Sequence, residues 1–308
     1  FNLFTKSAKD FLDGWFENDH IKACFGFDSI VGNYASPETP GSAYVLLHHV
    51  FGEVDGEKGA WGHALGGMGS ITKIMKTVCE ENGVDISTKT SVSKVLIENN
   101  KAIGVKIDDG SVIHSDKIVS NLNPKLLFSK LVNKEDVDKE YLRKILNYKC
   151  GSGTFRMNVA LSELPDFSCL PGKIASDHHK SGIVIAPTLT YMDKAFTDAK
   201  QYGWSKNPIV EMLIPSTVDS SLAPKGKHVA SLFCQQFSPT LPHDKSWHDE
   251  KESAANTIID TVNKFAPNFK ESILGKSILS PLDLEEKLGL VGGDIMHGVM
   301  SLDQMWAA

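Results

Sequence analysis

The stretch from Gly66 to Pro124 constrains the fold more than any other part of the sequence. Gly66, Gly67, Met68 and Gly69 make a turn that glycine-rich backbone enters without steric cost. Ile71, Ile74, Met75 and Val78 then recur at helical spacing, which predicts an amphipathic helix. Ser70 stands where a hydroxyl can cap its first turn, and Asn82-Gly83 ends it with a residue free to take positive φ. Residues 84–88 and the β-branched residues 92–97 read as strands. Ile103, Val105 and Ile107 alternate as in a half-buried strand, and Asp109-Gly110 is a hairpin signal. Residues 117–120 run as a strand into Asn121-Leu122-Asn123-Pro124, which leaves the sheet because the residue before proline avoids the helical region. A helix, strands and an inserted antiparallel ribbon are part of an α/β domain.

The pattern differs on either side. Phe4, Ala8, Phe11, Leu12, Trp15 and Phe16 lie at helical spacing, predicting one helix over residues 4–16 whose apolar face meets a core, a membrane surface or a partner. Pro37, Pro40 and Gly41 mark a loop. After Pro124 the reading is α+β. Strands at 209–214 and 228–237 flank a turn at Leu222-Ala223-Pro224-Lys225-Gly226. A helix over 246–265 starts at Ser246 with a capping box to Asp249 and carries the seam Ile258, Val262, Phe265; a second helix opens at Ser280-Pro281.

A chain of 308 residues is long enough for two domains. Its net charge of -6, with both signs mixed along the chain, leaves no basic stripe for a row of phosphates, so nucleic acid is not an expected partner. Five widely spaced cysteines without a C-x-x-C suit free thiols rather than a disulfide framework or a zinc site. His48-His49 and His178-His179 are adjacent pairs, and neighbours do not share a face, so no metal site is expected. The P-loop, G-x-S-x-G and H-E-x-x-H motifs are absent, and Gly67-x-Gly69 does not continue into G-x-G-x-x-G because Thr72 holds the last position. No apolar run is long enough to span a bilayer.

The order of these segments resembles the central part of phytoene desaturase-like FAD oxidoreductases. The resemblance is carried by Ala60-Trp61-Gly62, Gly66-Gly67-Met68-Gly69, residues 90–95, Asp108-Asp109-Gly110 and residues 119–124. Leu222-Ala223-Pro224 with Gly226, Ala266-Pro267 with Phe269, and Gly292-Gly293-Asp294-Ile295-Met296-His297-Gly298 resemble the pyridine nucleotide-disulfide oxidoreductase domain-containing branch of that family. The resemblance implies an α/β fold: an FAD/NAD(P)-binding, Rossmann-like domain interleaved with an α+β substrate domain. Residues 70–124 would be the middle segment of the FAD domain, with residues 1–69 and 125–308 forming the two parts of the substrate domain. It also implies a first FAD segment carrying G-x-G-x-x-G before Phe1 and a glycine-rich one after Ala308, so this chain by itself is expected to hold FAD poorly and to be inactive.

By the same resemblance Val92 takes the position whose backbone meets the adenine. Ser120 and Asn121 stand at the strand end approaching the FAD phosphates, and Gly66, Gly67, Met68, Gly69 and Ser70 form the loop beside the flavin. His297 and Asp294 are the polar candidates in the glycine-flexed loop for assisting catalysis. The expected activity is hydride transfer from a small, apolar substrate to FAD. A non-catalytic regulatory or partner-binding role on the same scaffold, and an amine oxidase-like activity, stay open. So do peripheral membrane contact, self-association, and a cytoplasmic location in a bacterium or a mitochondrial matrix location in an animal.

Overall fold

The computed structural model describes residues 2–49 and 51–304. It opens with four short helices, α1 (Asn2–Thr5), α2 (Ala8–Asp13), α3 (Asp19–Phe27) and α4 (Ser42–His48). The single helix expected over residues 4–16 is broken. The Lys6 carbonyl accepts the amides of Gly41 at 2.9 Å and Ala43 at 3.3 Å. Ser7 restarts the helix as its N-cap, its hydroxyl accepting the Asp10 amide at 3.0 Å. Ala8 and Leu12 are buried, while Trp15, past the end of α2, is exposed.

Strands β1 (Glu53–Val54) and β2 (Glu57–Lys58) form a small hairpin ahead of α5 (Gly69–Glu81). Strands β3 (Val92–Glu98), β4 (Lys101–Ile107) and β5 (Val112–His114) follow as an antiparallel sheet. Its first turn has positive φ at both Asn99 and Asn100, and its second is the expected Asp109-Gly110 turn. Residues 84–88 and 117–120 do not form the expected strands; among the described residues they have no ladder partner. The α5 stripe is as expected in register, but Ile71, Ile74, Met75 and Val78 all face outward in this structure.

The one-turn helix α6 (Pro124–Leu126) and α7 (Lys139–Asn147) stay with this sheet. Leu127, Phe128 and Val132 line a groove of about 400 Å³ opposite Val95, Ile97 and Ser120. The packing changes layer after α7, near Cys150, later than the switch expected at Pro124.

The remaining elements are β6 (Thr154–Leu161), α8 (Asp177–Lys180), β7 (Ile183–Ile185), α9 (Leu189–Tyr202), β8 (Trp204–Leu213), β9 (His228–Phe237), α10 (Trp247–Phe265), α11 (Phe269–Ser272), β10 (Ile273–Leu279) and α12 (Pro281–Leu288). The strands pair antiparallel in the order β10-β6-β9-β8-β7. On one face α10 lays Ile258 and Val262 onto Phe155, Met157, Met212 and Leu232. Each such fully buried side chain is worth about 1.5–3 kcal/mol of transfer free energy. On the other face Leu12, Phe27, Ile30 and Leu46 from the first helices join Leu189 and Met192 of α9 over Ile209 and Phe233. The helices α2 to α4 and the five-stranded sheet therefore share a core.

Ser246 caps α10 by accepting the His248 amide at 3.1 Å, but Asp249 does not complete the expected capping box. A full box closes at α12, where Ser280 and Asp283 exchange side-chain and backbone bonds. Among the described residues no helix is long and apolar enough to cross a membrane.

Candidate functional site

The glycine turn is set by conformation first. Gly66 and Gly67 have φ of 81° and 85°, the left-handed region that favours glycine. The Gly67 amide donates to the Ala64 carbonyl at 2.9 Å. Helix α5 then begins at Gly69 with no side-chain cap and no acidic residue in its first turn. Ser70 lies one residue inside the helix rather than at its cap. Its hydroxyl donates back to the Gly67 carbonyl at 2.7 Å, which closes the turn instead of covering the helix end. Met68 is exposed, and a Cβ placed on Gly69 would meet no atom within 4 Å, so this end of the helix is open on its outer side.

Asp219, absent from the sequence reading, holds the turn in place. The Gly66 amide donates to its Oδ2 at 2.7 Å, and its Oδ1 accepts the Ser221 amide at 3.0 Å and hydroxyl at 2.6 Å. His63 Nε2 stands 3.7 Å from Oδ2. The Ser221 hydroxyl, then the Gly66 and Ser221 amides, hold this carboxyl at about 2. An Asp followed by Ser-Ser is an Asx-turn signal, but nothing local in it points to Gly66.

The two polar candidates in the Gly292–Gly298 loop separate in role. Asp294 is buried, and both its oxygens are taken by backbone: Oδ2 by the Gly151 amide at 2.7 Å, Oδ1 by the Met296 amide at 2.8 Å. Ser152 fastens the same crossing, donating to the Gly293 carbonyl at 3.1 Å and accepting the Ile295 amide at 3.3 Å. Asp294 therefore ties the loop to the start of β6 and has no lone oxygen facing an open space. His297 has an exposed side chain on a backbone with φ of 64°, and its carbonyl accepts from Asn123 Nδ2 at 3.3 Å. The structure does not bring Asp294 and His297 together with the glycine turn through any bond.

Asn123, just before Pro124, carries no role in the sequence pattern but has one in the structure. It is buried; its Oδ1 accepts the Lys125 amide at 2.9 Å, while Lys125 Nζ donates to the Tyr148 carbonyl at 2.7 Å. The segment 120–125 is thus held against both 148–150 and 297. Ser120 lines the groove over the three-stranded sheet and accepts the Leu122 amide at 3.2 Å. Asn121 is exposed. Val92 begins β3, the outer strand of its sheet, with its side chain partly exposed.

One histidine of each pair bonds to the backbone nearby, while His178 Nε2 is buried without a hydrogen-bond partner among the described residues. His179 is fully buried: its Nδ1 accepts the Ser176 amide at 3.3 Å, which leaves Nε2 to donate to the Pro165 carbonyl at 2.9 Å. His49 Nδ1 lies 3.0 Å from the Val45 carbonyl. Among the described residues no group of three His, Cys, Asp or Glu could hold a metal ion.

Residues 6–154 match the model of the flavin containing amine oxidoreductases. The chain is 37% identical over 314 residues to the pyridine nucleotide-disulfide oxidoreductase domain-containing protein 2 of Rattus norvegicus, an alignment covering all of this chain and 54% of the relative. It is 27% identical over 264 residues to the 4,4'-diapophytoene desaturase (4,4'-diapolycopene-forming) of Methylomonas sp, covering 84% of this chain and 47% of that one. Among solved structures, an oxidoreductase from Methanosarcina mazei superposes with a TM-score of 0.60 at 19% identity, covering 89% of this chain and 56% of the other. The chain spans about half the length of the curated relatives it matches.

Proposed function

We propose, for a chain related to the flavin containing amine oxidoreductases and to the carotenoid desaturases, that it serves an FAD-dependent dehydrogenase or desaturase acting on a small organic substrate. In this reading residues 70–124, with α6 and α7 packed beside their sheet, are the middle segment of the FAD domain, and residues 1–69 and the five-stranded part form the substrate domain. The observation that carries it is the Asp219–Gly66 bond, which fixes a glycine-rich turn and the open start of α5 against the five-stranded half of the molecule.

Bound FAD supplies the hydride-accepting chemistry. The chain's own part is placement. Gly66, Gly67 and Gly69 let a planar ligand approach their backbone without meeting a Cβ, with the exposed Met68 side chain set between them. The uncapped start of α5 offers amide dipoles to an anionic or electron-rich edge. Val92 lies on an outer strand and Ser120 beside the groove; in this reading, by resemblance, they would take the adenine and phosphate contacts. Asp294 and Asn123 act at one remove, holding the backbone crossings at Gly151 and His297.

The test is visible flavin absorbance in the protein that carries this sequence, purified without added cofactor and then titrated with FAD. Bound flavin that bleaches anaerobically with a substrate supports the reading. Absence of flavin together with failure to take up FAD would sink it.

A further inference from the structure

The chain uses lysine freely but contains only two arginines, Arg143 and Arg156. One of them sits within a sheet. Register places Arg156 on β6 opposite Phe233 on β9, and Phe233 opposite Glu211 on β8, so the three side chains form one rung on one face. One rung further toward the closed end, Gln235 and Ile209 are fully buried. One rung further the other way, Asn158 and Leu213 are exposed. Arg156 therefore stands at the boundary where the cover of the N-terminal helices stops and the sheet face opens.

Its guanidinium is half-buried and barely partnered. Nη2 donates to Ser231 Oγ at 3.0 Å, and the group lies 5.1 Å from the centroid of the Phe233 ring. A guanidinium offers five N–H donors, and among the described residues no carboxylate comes within ion-pair distance of this one. Removing a cation from water without a paired anion is costly, and proteins rarely leave one so unless a ligand completes it. The Ser231 bond and the aromatic face beneath fix the plane of the fork, which suits a second planar group of opposite charge.

Two acids face the same space. Glu211 shares the rung, and Asp28 at the end of α3 lies within electrostatic reach of it, as does His49 beyond α4. Among the described residues neither acid makes a side-chain hydrogen bond or ion pair. Burial pushes both carboxyls up, against the opposing pull of Arg156 on Glu211 and of His49 on Asp28. Two acids on this face repel a doubly charged anion more than a singly charged one. That selects a carboxylate over a phosphate.

We propose that the open end of this sheet face binds a carboxylate-bearing small molecule, its carboxylate on the Arg156 fork beside Ser231 and its apolar body over the exposed Leu213. The inference rests on the reading above of this half as the substrate side, and refines the substrate from simply apolar to apolar with an acidic head.

The test uses octanoate and its uncharged counterpart octanamide, titrated calorimetrically into the protein that carries this sequence, with flavin absorbance recorded separately on each preparation. Octanoate is expected to bind saturably and octanamide about tenfold more weakly or worse, as loss of a charge-assisted bond implies. Arg156→Met should weaken octanoate by about tenfold or more and leave octanamide unchanged, and Arg156→Lys, which keeps charge but not the fork, should fall between. Should Arg156→Met fail to fold, Ser231→Ala, which frees the guanidinium plane, is expected to weaken octanoate alone. Equal binding of the two probes, equal octanoate binding by wild type and the foldable variants, or no octanoate binding at all would overturn the proposal. Flavin present without octanoate discrimination overturns the carboxylate site while leaving the oxidoreductase reading standing. Discrimination without flavin supports the site and sinks that reading.

Discussion

The Gly66 amide donates to Asp219 Oδ2 at 2.7 Å across 153 residues of sequence. The bond joins the turn at the head of α5 to the loop between β8 and β9. Removing the carboxylate by Asp219→Ala leaves the Gly66 and Ser221 amides without their acceptor. Hydrogen exchange at residues 66–70 should then quicken by roughly tenfold relative to the five-stranded sheet. The same contact sets a pH window. The folded carboxyl is held down at about 2, below its ordinary range, so its contribution is complete above pH about 4. It is lost as pH falls through about 2. Exchange at Gly66 should therefore stay protected at pH 4 and lose protection at lower pH in wild type, with no such dependence in Asp219→Ala. Unchanged protection in the variant would show that the turn holds itself.

Asp294 and His297 share a loop, and their substitutions should part. Asp294→Ala strips two amides of a buried acceptor, at a cost of roughly 2–3 kcal/mol, seen as a lowered melting temperature. His297→Gly removes the strain of a non-glycine residue at φ 64° but adds unfolded-state entropy. The first effect is about 1–2 kcal/mol and the second about 0.5–1 kcal/mol, so the variant should melt no lower than wild type. If the proposed oxidation is observed, His297→Gly should also retain its rate. A large fall in rate with no fall in stability would restore His297 as a group that touches substrate.

What the sequence made legible follows from how local each signal is. The Asn82-Gly83 stop, the Asp109-Gly110 turn and the Ser280-Pro281 start each depend on a few neighbouring residues, and each appears where expected. Residues 84–88 and 117–120 have strand-like composition, but a strand also needs a partner, which composition does not specify. The break at Lys6 comes from a carbonyl captured by Gly41, thirty-five positions away, so helical spacing over 4–16 could not reveal it. The same holds at the sites. Gly66 to Ser70 were visible because glycine runs are conspicuous, whereas Asp219 and Arg156 acquire their meaning only from pairing between distant segments.

The cysteines should separate by burial. Burial pushes the Cys234 thiol far above its ordinary range, and it lies in the core between the five-stranded sheet and α10. Cys24 and Cys169 are exposed. A thiol-specific reagent should label Cys24 and Cys169 in the native protein at neutral pH and reach Cys234 only on unfolding. Mass-mapped labelling across a denaturant series would check this, and native labelling of Cys234 would contradict the core packing.

Gly298 gives a test of the loop that does not depend on any cofactor. A Cβ at this position would overlap the Tyr148 hydroxyl and press on the ring carbons behind it. The Tyr148 main chain is anchored, its carbonyl accepting from Lys125 Nζ at 2.7 Å. The ring must leave its place to admit the methyl group, so Gly298→Ala should cost about 1–3 kcal/mol, the usual range for forcing a methyl group into a filled space. The φ of Gly298 is not in the left-handed region, which leaves the clash as the cause rather than backbone strain. That distinction can be measured. Tyr148→Ala removes the obstructing ring at its own cost, and adding Gly298→Ala to it should then cost little. The double-mutant coupling between the two positions should be about 1 kcal/mol or more in favour of the double variant. Additive losses would mean that Gly298 is needed for its backbone, and that the close approach to Tyr148 is not what requires glycine here.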